Sequence, residues 1–141
     1  MTVHQISIFL ENKYGKLNEV LSLLANENIR IIAATIADTS EFGIMRMIVS
    51  EPEKACKILK SNNVGANLTD VLAIVADSRA GSFAHVLNLF TKAGLSIEYM
   101  YCFSVREKSI LILRTNNREN AREVIRRQNL DYICENDLIT L

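Results

Sequence analysis

The chain has no tryptophan, one proline and five glycines among 141 residues. That scarcity excludes collagen-like, Pro-rich and Gly/Ser-linker architectures. Cysteine is equally sparse. Cys56, Cys102 and Cys134 are odd in number and widely spaced. They form neither a disulfide framework nor a zinc-type pair, and they fit reduced thiols in a cytoplasmic protein. His4 and His85 are the only histidines, with no Cys or carboxylate spacing around them that makes a metal set. No excess of one charge exists: 16 basic residues balance 16 acidic ones, and the pI is near 6.7. This argues against a phosphate-coating nucleic-acid binder. No apolar run approaches membrane-spanning length, and no basic n-region leads an apolar stretch at the N-terminus, so neither a membrane span nor a signal peptide is expected. Ser40 and Ser82 have no adjacent base and Cys56 falls on a predicted helix, so no nucleophile–base–orienter set can be assembled. The expectation is a protein with no catalytic site, no metal and no cofactor.

What the sequence does have is itself, twice. Residues 8–24 and 74–90 align at an offset of 66 residues, the distance from Gly15 to Gly81. That shift brings Val20 onto Val86, Leu21 onto Leu87 and Leu23 onto Leu89. Without a gap it continues through Ile31 and Ile97, Ile44 and Ile110, and Ala55 and Ala121. A repeat of this length is a small domain rather than a solenoid unit. Two domains are expected, 1–69 and 70–141. At roughly 65–70 residues each is near the lower limit for a self-sufficient core. Hydrophobic residues make up 49% of the chain, enough for two small cores.

Hydrophobic periodicity gives the same element order in each half. Val3–Leu10 reads as a strand, and Leu17, Val20, Leu21 and Leu24 then recur at helical spacing. Ile29–Ala37 and Ile44–Val49 read as strands joined by a hairpin through Thr39, Ser40, Glu41 and Gly43. Ser50, Pro52 and Glu53 predict a capped helix start with Ala55, Ile58 and Leu59 facing inward, and Val64–Thr69 a short fourth strand. The second half repeats the pattern. Val71–Ala76 is a strand, and Phe83, Val86, Leu87 and Phe90 stripe a helix. Ser96–Ser104 and Ser109–Thr115 form a hairpin, Asn116–Glu119 supply a cap and capping box, and Asp131–Cys134 is a last strand. Each half is thus β-α-β-β-α-β, an α+β, ferredoxin-like fold: an antiparallel sheet with helices on one face. The tail, 137–141, resembles Asp70–Ile74 and reads either as an extra edge strand or as a loose apolar terminus.

The loop after each first strand is the candidate site. A strand ends, a glycine permits a tight turn, and a helix N-terminus offers unpaired amides and partial positive charge, a seat for a carboxylate. Asn12, or Asp77 in the second copy, can accept hydrogen bonds from an ammonium group. On the residues alone, the alternative is that the glycines only make the turn and Asn12 only caps the helix.

These stretches resemble the ACT domain, a small-molecule-sensing regulatory module. The resemblance rests on Asn12-Lys13-Tyr14-Gly15-Lys16-Leu17 with Asn28-Ile29, and on Ser78-Arg79-Ala80-Gly81-Ser82-Phe83 with Gly94-Leu95-Ser96-Ile97. It covers essentially the whole chain. Two departures stand out: the proline usual before the glycine is Tyr14 in one copy and Ala80 in the other, and the asparagine usual on the second strand is Arg30 or Ser96. The resemblance implies an amino acid as ligand, bound at the seam between the two domains. It also implies a partner, for instance an enzyme, that reads the bound state. The residues expected to bind are Asn12, Tyr14, Gly15, Lys16 and Leu17, then Asp77, Ser78, Ala80, Gly81, Ser82 and Phe83, with Ser96 and Ile97 on the following strand. The competing expectation is an interaction module that assembles with an enzyme and binds no metabolite. Edge pairing or tail exchange would be routes to a homodimer. Tyr99, Tyr101 and Phe103 alternate on one strand face, but an RNA-binding sheet of this type concentrates aromatics on strands one and three, which here carry Leu72, Ile74, Ile110 and Ile112.

Overall fold

A computed structural model describes residues 1–11, 13, 15–38 and 41–141. The elements run β1 (Val3–Glu11), α1 (Lys16–Asn26), β2 (Ile31–Asp38), β3 (Phe42–Val49), α2 (Pro52–Ser61), β4 (Ala66–Asp77), α3 (Ser82–Lys92), β5 (Ile97–Val105), β6 (Lys108–Thr115), α4 (Arg118–Arg127) and α5 (Glu135–Ile139). The order β-α-β-β-α-β appears twice, with all registered strand pairs antiparallel. Two compact units result. The first comprises His4–Thr69 with Asn136–Leu141, and the second Asp70–Glu135 with Met1–Val3.

In the first unit β3 lies between β1 and the edge strand β2, with Ile6 opposite Met47 and Ile8 opposite Met45. Alternation puts Ile6, Ile8 and Leu10 on one face with Met45, Met47 and Val49. Val20 and Leu24 of α1, and Ala55, Cys56 and Leu59 of α2, close over that face. In the second unit β6 lies between β4 and the edge strand β5. Leu72, Ile74, Leu111 and Leu113 meet Val86 and Phe90 of α3 and Ala121, Val124 and Ile125 of α4. These follow the stripes the periodicity predicts, with Cys56 added to the α2 stripe and Leu17, expected on the inner face of α1, left exposed in its first turn.

The repeat extends to the backbone. Left-handed residues occur at Gly15 (φ 81°), Asn28 (57°) and Asn63 (60°), and again at Gly81 (89°), Gly94 (77°) and Asn129 (51°). Each of the second set stands 66 positions after its counterpart, the offset from Gly15 to Gly81. Only Gly, Asn and a few others tolerate this conformation, which is why these types persist. A second repeated device ties β2 to the end of β3. The Arg30 amide donates to Ser50 Oγ at 3.0 Å while the Ser50 amide donates to the Arg30 carbonyl at 2.9 Å. In the second copy Ser96 and Asn116 exchange the same bonds at 3.1 and 3.3 Å.

Several local expectations change. Ser50 does not cap α2: its hydroxyl serves Arg30, and the N-cap residue is Glu51, without a side-chain cap bond. Asn117 does cap α4, accepting from the Asn120 amide at 3.1 Å, while Glu119 pairs with Arg122 rather than closing a box. Gly43 lies inside β3, and the hairpin residues Thr39 and Ser40 fall outside the described residues. The two strands expected at 64–69 and 71–76 are one strand, β4, because no Gly or Pro separates Thr69 from Val71. The last strand of the second copy shrinks to a bridge between Tyr132 and Ile74, held by the Val75 amide to the Asp131 carbonyl and the Ile133 amide to the Ala73 carbonyl.

The tail is a helix, α5, not an edge strand. Thr140 Oγ1 donates back to the carbonyls of Asn136 and Asp137. The Arg30 guanidinium donates to Ile139 O at 2.8 Å and Leu141 O at 3.1 Å, supplying donors that helix-end carbonyls lack. Leu138 is fully buried. Leu138→Ala should therefore cost about 2–5 kcal/mol, measured by urea unfolding. Hydrogen exchange should quicken across 4–69 more than across 70–135, since the tail belongs to the first unit. Uniform acceleration in both units would contradict this placement.

Candidate ligand-binding site

Each unit holds a cavity at its first strand-to-helix turn, of about 460 Å³ in the first and about 450 Å³ in the second. Both are lined by residues of a single unit. The first is bounded by the end of β1 (Phe9, Leu10, Glu11), the first turns of α1 (Lys16, Glu19, Val20), Phe42 at the start of β3, and the loop Asn62–Gly65. The second is bounded by Val75, Ala76 and Asp77 of β4, Ser82, His85 and Val86 of α3, Lys108 of β6, and the loop Asn129–Asp131, with Arg79, Ala80 and Gly81 between strand and helix. At the 66-residue offset the linings correspond almost residue for residue: Glu11 with Asp77, Val20 with Val86, Phe42 with Lys108, Gly65 with Asp131. The floor is built the same way in both. The Phe9 amide donates to the Gly65 carbonyl at 3.0 Å, and the Val75 amide to the Asp131 carbonyl at 2.9 Å.

Helices α1 and α3 open on Gly15 and Gly81, which have no side chain to cap the first turn. The helical amides after them lack an intrahelical acceptor and carry the positive end of the helix dipole. By contrast, α4 is capped by its own Asn117. An added Cβ at Gly15 or Gly81 would meet nothing within 4 Å, so the glycine is required by the left-handed backbone and not by crowding.

An acid–base pair marks the rim of both turns. Lys13 Nζ lies 2.7 Å from Glu11, and Arg79 Nη2 lies 2.7 Å from Asp77. Lys108 reaches Asp77 from the neighbouring strand at 3.4 Å. The hydrogen bond from Lys13, reinforced by its charge, holds the Glu11 carboxyl below its ordinary value and raises Lys13. Bonds from Arg79 and then Lys108 do the same to Asp77. In the first copy Lys16 also pairs with Glu19, at 3.4 Å. Both rims are solvent-exposed, so these pairs orient charge more than they add stability.

Of the expected site residues, Asn12 and Tyr14 lie outside the described residues. Lys16, Asp77, Ala80, Gly81 and Ser82 line a cavity. Gly15 makes the turn beside the first cavity, Leu17 and Ser78 are exposed and outside both linings, and Phe83 packs on the second core. Ser96 and Ile97 are not brought to the turn. They sit beyond the far end of α3, whose 11 residues span roughly 16 Å, and they pair with Asn116 and Thr115. The lining residues Glu11, Glu19, Phe42, His85, Lys108 and the 62–65 and 129–131 loops were missed. A signal for the first of them exists: acid-x-base recurs at the offset, as Glu11-Asn12-Lys13 and Asp77-Ser78-Arg79. Tyr99, Tyr101 and Phe103 line neither cavity; they face Arg114, Ile112 and Ile110 across the β5–β6 pair. Among the described residues no cluster of His, Cys, Asp and Glu could hold a metal ion, and no helix is long and apolar enough to cross a membrane. All three cysteines are free.

A duplicated ferredoxin-like module with a matching cavity in each copy defines a class of paired small domains. A family model described as an ACT domain pair matches residues 1–141, and the chain belongs to that family. Protein BT0572 from Bacteroides thetaiotaomicron is 42% identical, with a TM-score of 0.96 over 100% of this chain and 98% of its own. The ligand-free regulatory subunit of aspartate kinase from Thermus thermophilus shares the fold at 18% identity and a TM-score of 0.65, covering 87% of this chain and 88% of that one. No curated protein matches the sequence.

The Asp77 pair gives a pH-dependent expectation. The folded-state pKa lies below the unfolded one, so the pair stabilises the fold above the ordinary aspartate range. That contribution disappears as pH falls through the native value. An NMR titration should place the Asp77 midpoint below that of a model aspartate, and Arg79→Ala should move it back upward. An unshifted midpoint in the parent protein would rule out the pair in solution.

Proposed function

We propose that this protein is a non-catalytic regulatory sensor of a small molecule, an amino acid, seated in the strand-to-helix cavity of one or both copies. The observation that carries the reading is the paired cavity: two linings related by the repeat offset, each with an acidic group at the rim and an uncapped helix start. A zwitterion matches that arrangement. Its carboxylate suits the helix N-terminus and its ammonium suits Glu11 or Asp77. Membership of a family whose fold is shared with a regulatory subunit of aspartate kinase supports a regulatory role. Binding would act through differential affinity for two conformations, read by a partner such as an enzyme. Three free cysteines suit a reducing compartment, the cytoplasm. A second reading, an assembly module, draws on the exposed Ile31 and Ile36 of edge strand β2, which also offer a route to a homodimer.

A thermal-shift screen against the twenty amino acids separates the two. A ligand at a hundred times its Kd stabilises the fold by about 2.7 kcal/mol, so the sensing reading expects at least one clear rise in Tm. No rise at millimolar concentration, with the protein folded, would favour assembly. Gly15→Val and Gly81→Val, each forcing a branched side chain into a left-handed turn, should abolish binding at the first and second seat respectively. Affinity surviving both substitutions would place the ligand elsewhere.

A further inference from the structure

One polar position is left unspent in both cavities. We infer that the side-chain amides of Asn63 and Asn129 are ligand contacts, each donating a hydrogen bond to the carboxylate of an amino acid bound in its cavity. This rests on the sensing reading above and deepens it, because it gives the loops after α2 and α4 a part in binding.

Elimination singles out the position. The polar side chains lining the first cavity belong to Glu11, Lys16, Glu19, Asn62 and Asn63. Glu11 is paired with Lys13, and Lys16 with Glu19. Asn62 Nδ2 donates to the Ile58 carbonyl at 2.8 Å. Asn63 is the one whose side chain has no partner among the described residues. The backbone of its loop is no substitute, since the amides of Asn62, Asn63 and Val64 are spent on the last carbonyls of α2. In the second copy the amides of Gln128, Asn129 and Leu130 close α4 in the same way. Asn129 again lines the cavity with no side-chain partner among the described residues. Ser82, His85 and Asp131 also line that cavity, but their counterparts Lys16 and Glu19 are paired and Gly65 has no side chain. Only the 63/129 position is polar and unpaired in both linings among the described residues.

A left-handed backbone, at φ 60° and 51°, would by itself admit asparagine at both places. The repeat contains a control for that explanation. Asn28 and Gly94 are another equivalent pair, left-handed like Asn63 and Asn129 and likewise the residue after a helix C-cap. They line neither cavity, and there one copy has Asn and the other Gly, as a purely conformational demand allows. At 63 and 129 glycine would meet the same demand, yet both copies keep a side-chain amide. Its use follows from what the linings already hold. Glu11 and Asp77 supply acceptors for an ammonium. A carboxylate needs donors, and an N–H given to a charged acceptor is stronger than one given to a neutral group. A group repeated in both copies suits the part that all amino acids share.

Glycine preserves the left-handed turn and removes only the amide. The double variant Asn63→Gly/Asn129→Gly should fold, with a Tm close to the parent's when no amino acid is added. For each of the twenty amino acids that raises the parent's Tm, its Kd should rise about tenfold or more. Asn63→Asp/Asn129→Asp retains size and turn but exchanges the donor for a negative charge, and should weaken binding at least as much. Asn28→Gly, outside both cavities, should bind as the parent does. Parent-like affinity in either double variant would overturn the inference and leave sensing intact. An equal loss in Asn28→Gly would do the same, by tracing the effect to the backbone. If none of the twenty binds the folded parent, both readings fall.

Discussion

A left-handed glycine between a strand and a helix is the constraint from which the rest of each copy follows. At Gly15 and Gly81 the chain reverses within a few residues, laying the helix back across the strand it has just left. That reversal brings Val20 over Ile6 and Ile8, and Val86 over Leu72 and Ile74. It also starts the helix on a residue with no side-chain oxygen to offer its first amides. A non-glycine residue at φ near 80–90° would be strained, and a serine or aspartate there would satisfy the amides itself. One residue type thus sets the turn, the helix packing and the chemistry of the cavity mouth.

The frame was legible in the sequence because it is made of local rules applied twice. Strand alternation located Ile6, Ile8, Leu111 and Leu113; helical spacing located Val20, Leu24, Val86 and Phe90. The glycine turn was visible because no other residue does that work cheaply. The rim was only partly legible. Phe42, Lys108, Asn63 and Asn129 approach the turn through β3, β6 and the loops after α2 and α4. Their nearness is a product of register, which no single window of sequence carries. Ser96 and Ile97 show the same from the other side: they follow the helix closely in sequence, and the helix carries them to its far end.

The tail shows where local propensity gives way. Asp137–Leu141 resembles the strand Asp70–Ile74, yet Asp137–Ile139 belong to helix α5. Five residues cannot sustain an isolated helix in water. What changes the outcome is long-range: Arg30, at the start of β2, supplies two donors to the last carbonyls, and Leu138 is buried. Arg30 is also the residue whose backbone is clamped by Ser50. Its equivalent Ser96 keeps the backbone clamp, through Asn116, and has no guanidinium. The same repeat position therefore retains its structural bond in both copies and acquires a second role in only one.

That separation of roles applies to the cavities as well. Positions bound by burial or by a left-handed backbone stayed alike through the duplication: Val20 and Val86, Gly15 and Gly81, Asn63 and Asn129. The positions that differ most are those on the open rim, Phe9 and Val75, Lys16 and Ser82, Glu19 and His85, Phe42 and Lys108. A buried position is held by packing density, where one methylene is felt. An exposed rim position is held less tightly, because its substitution costs the scaffold little.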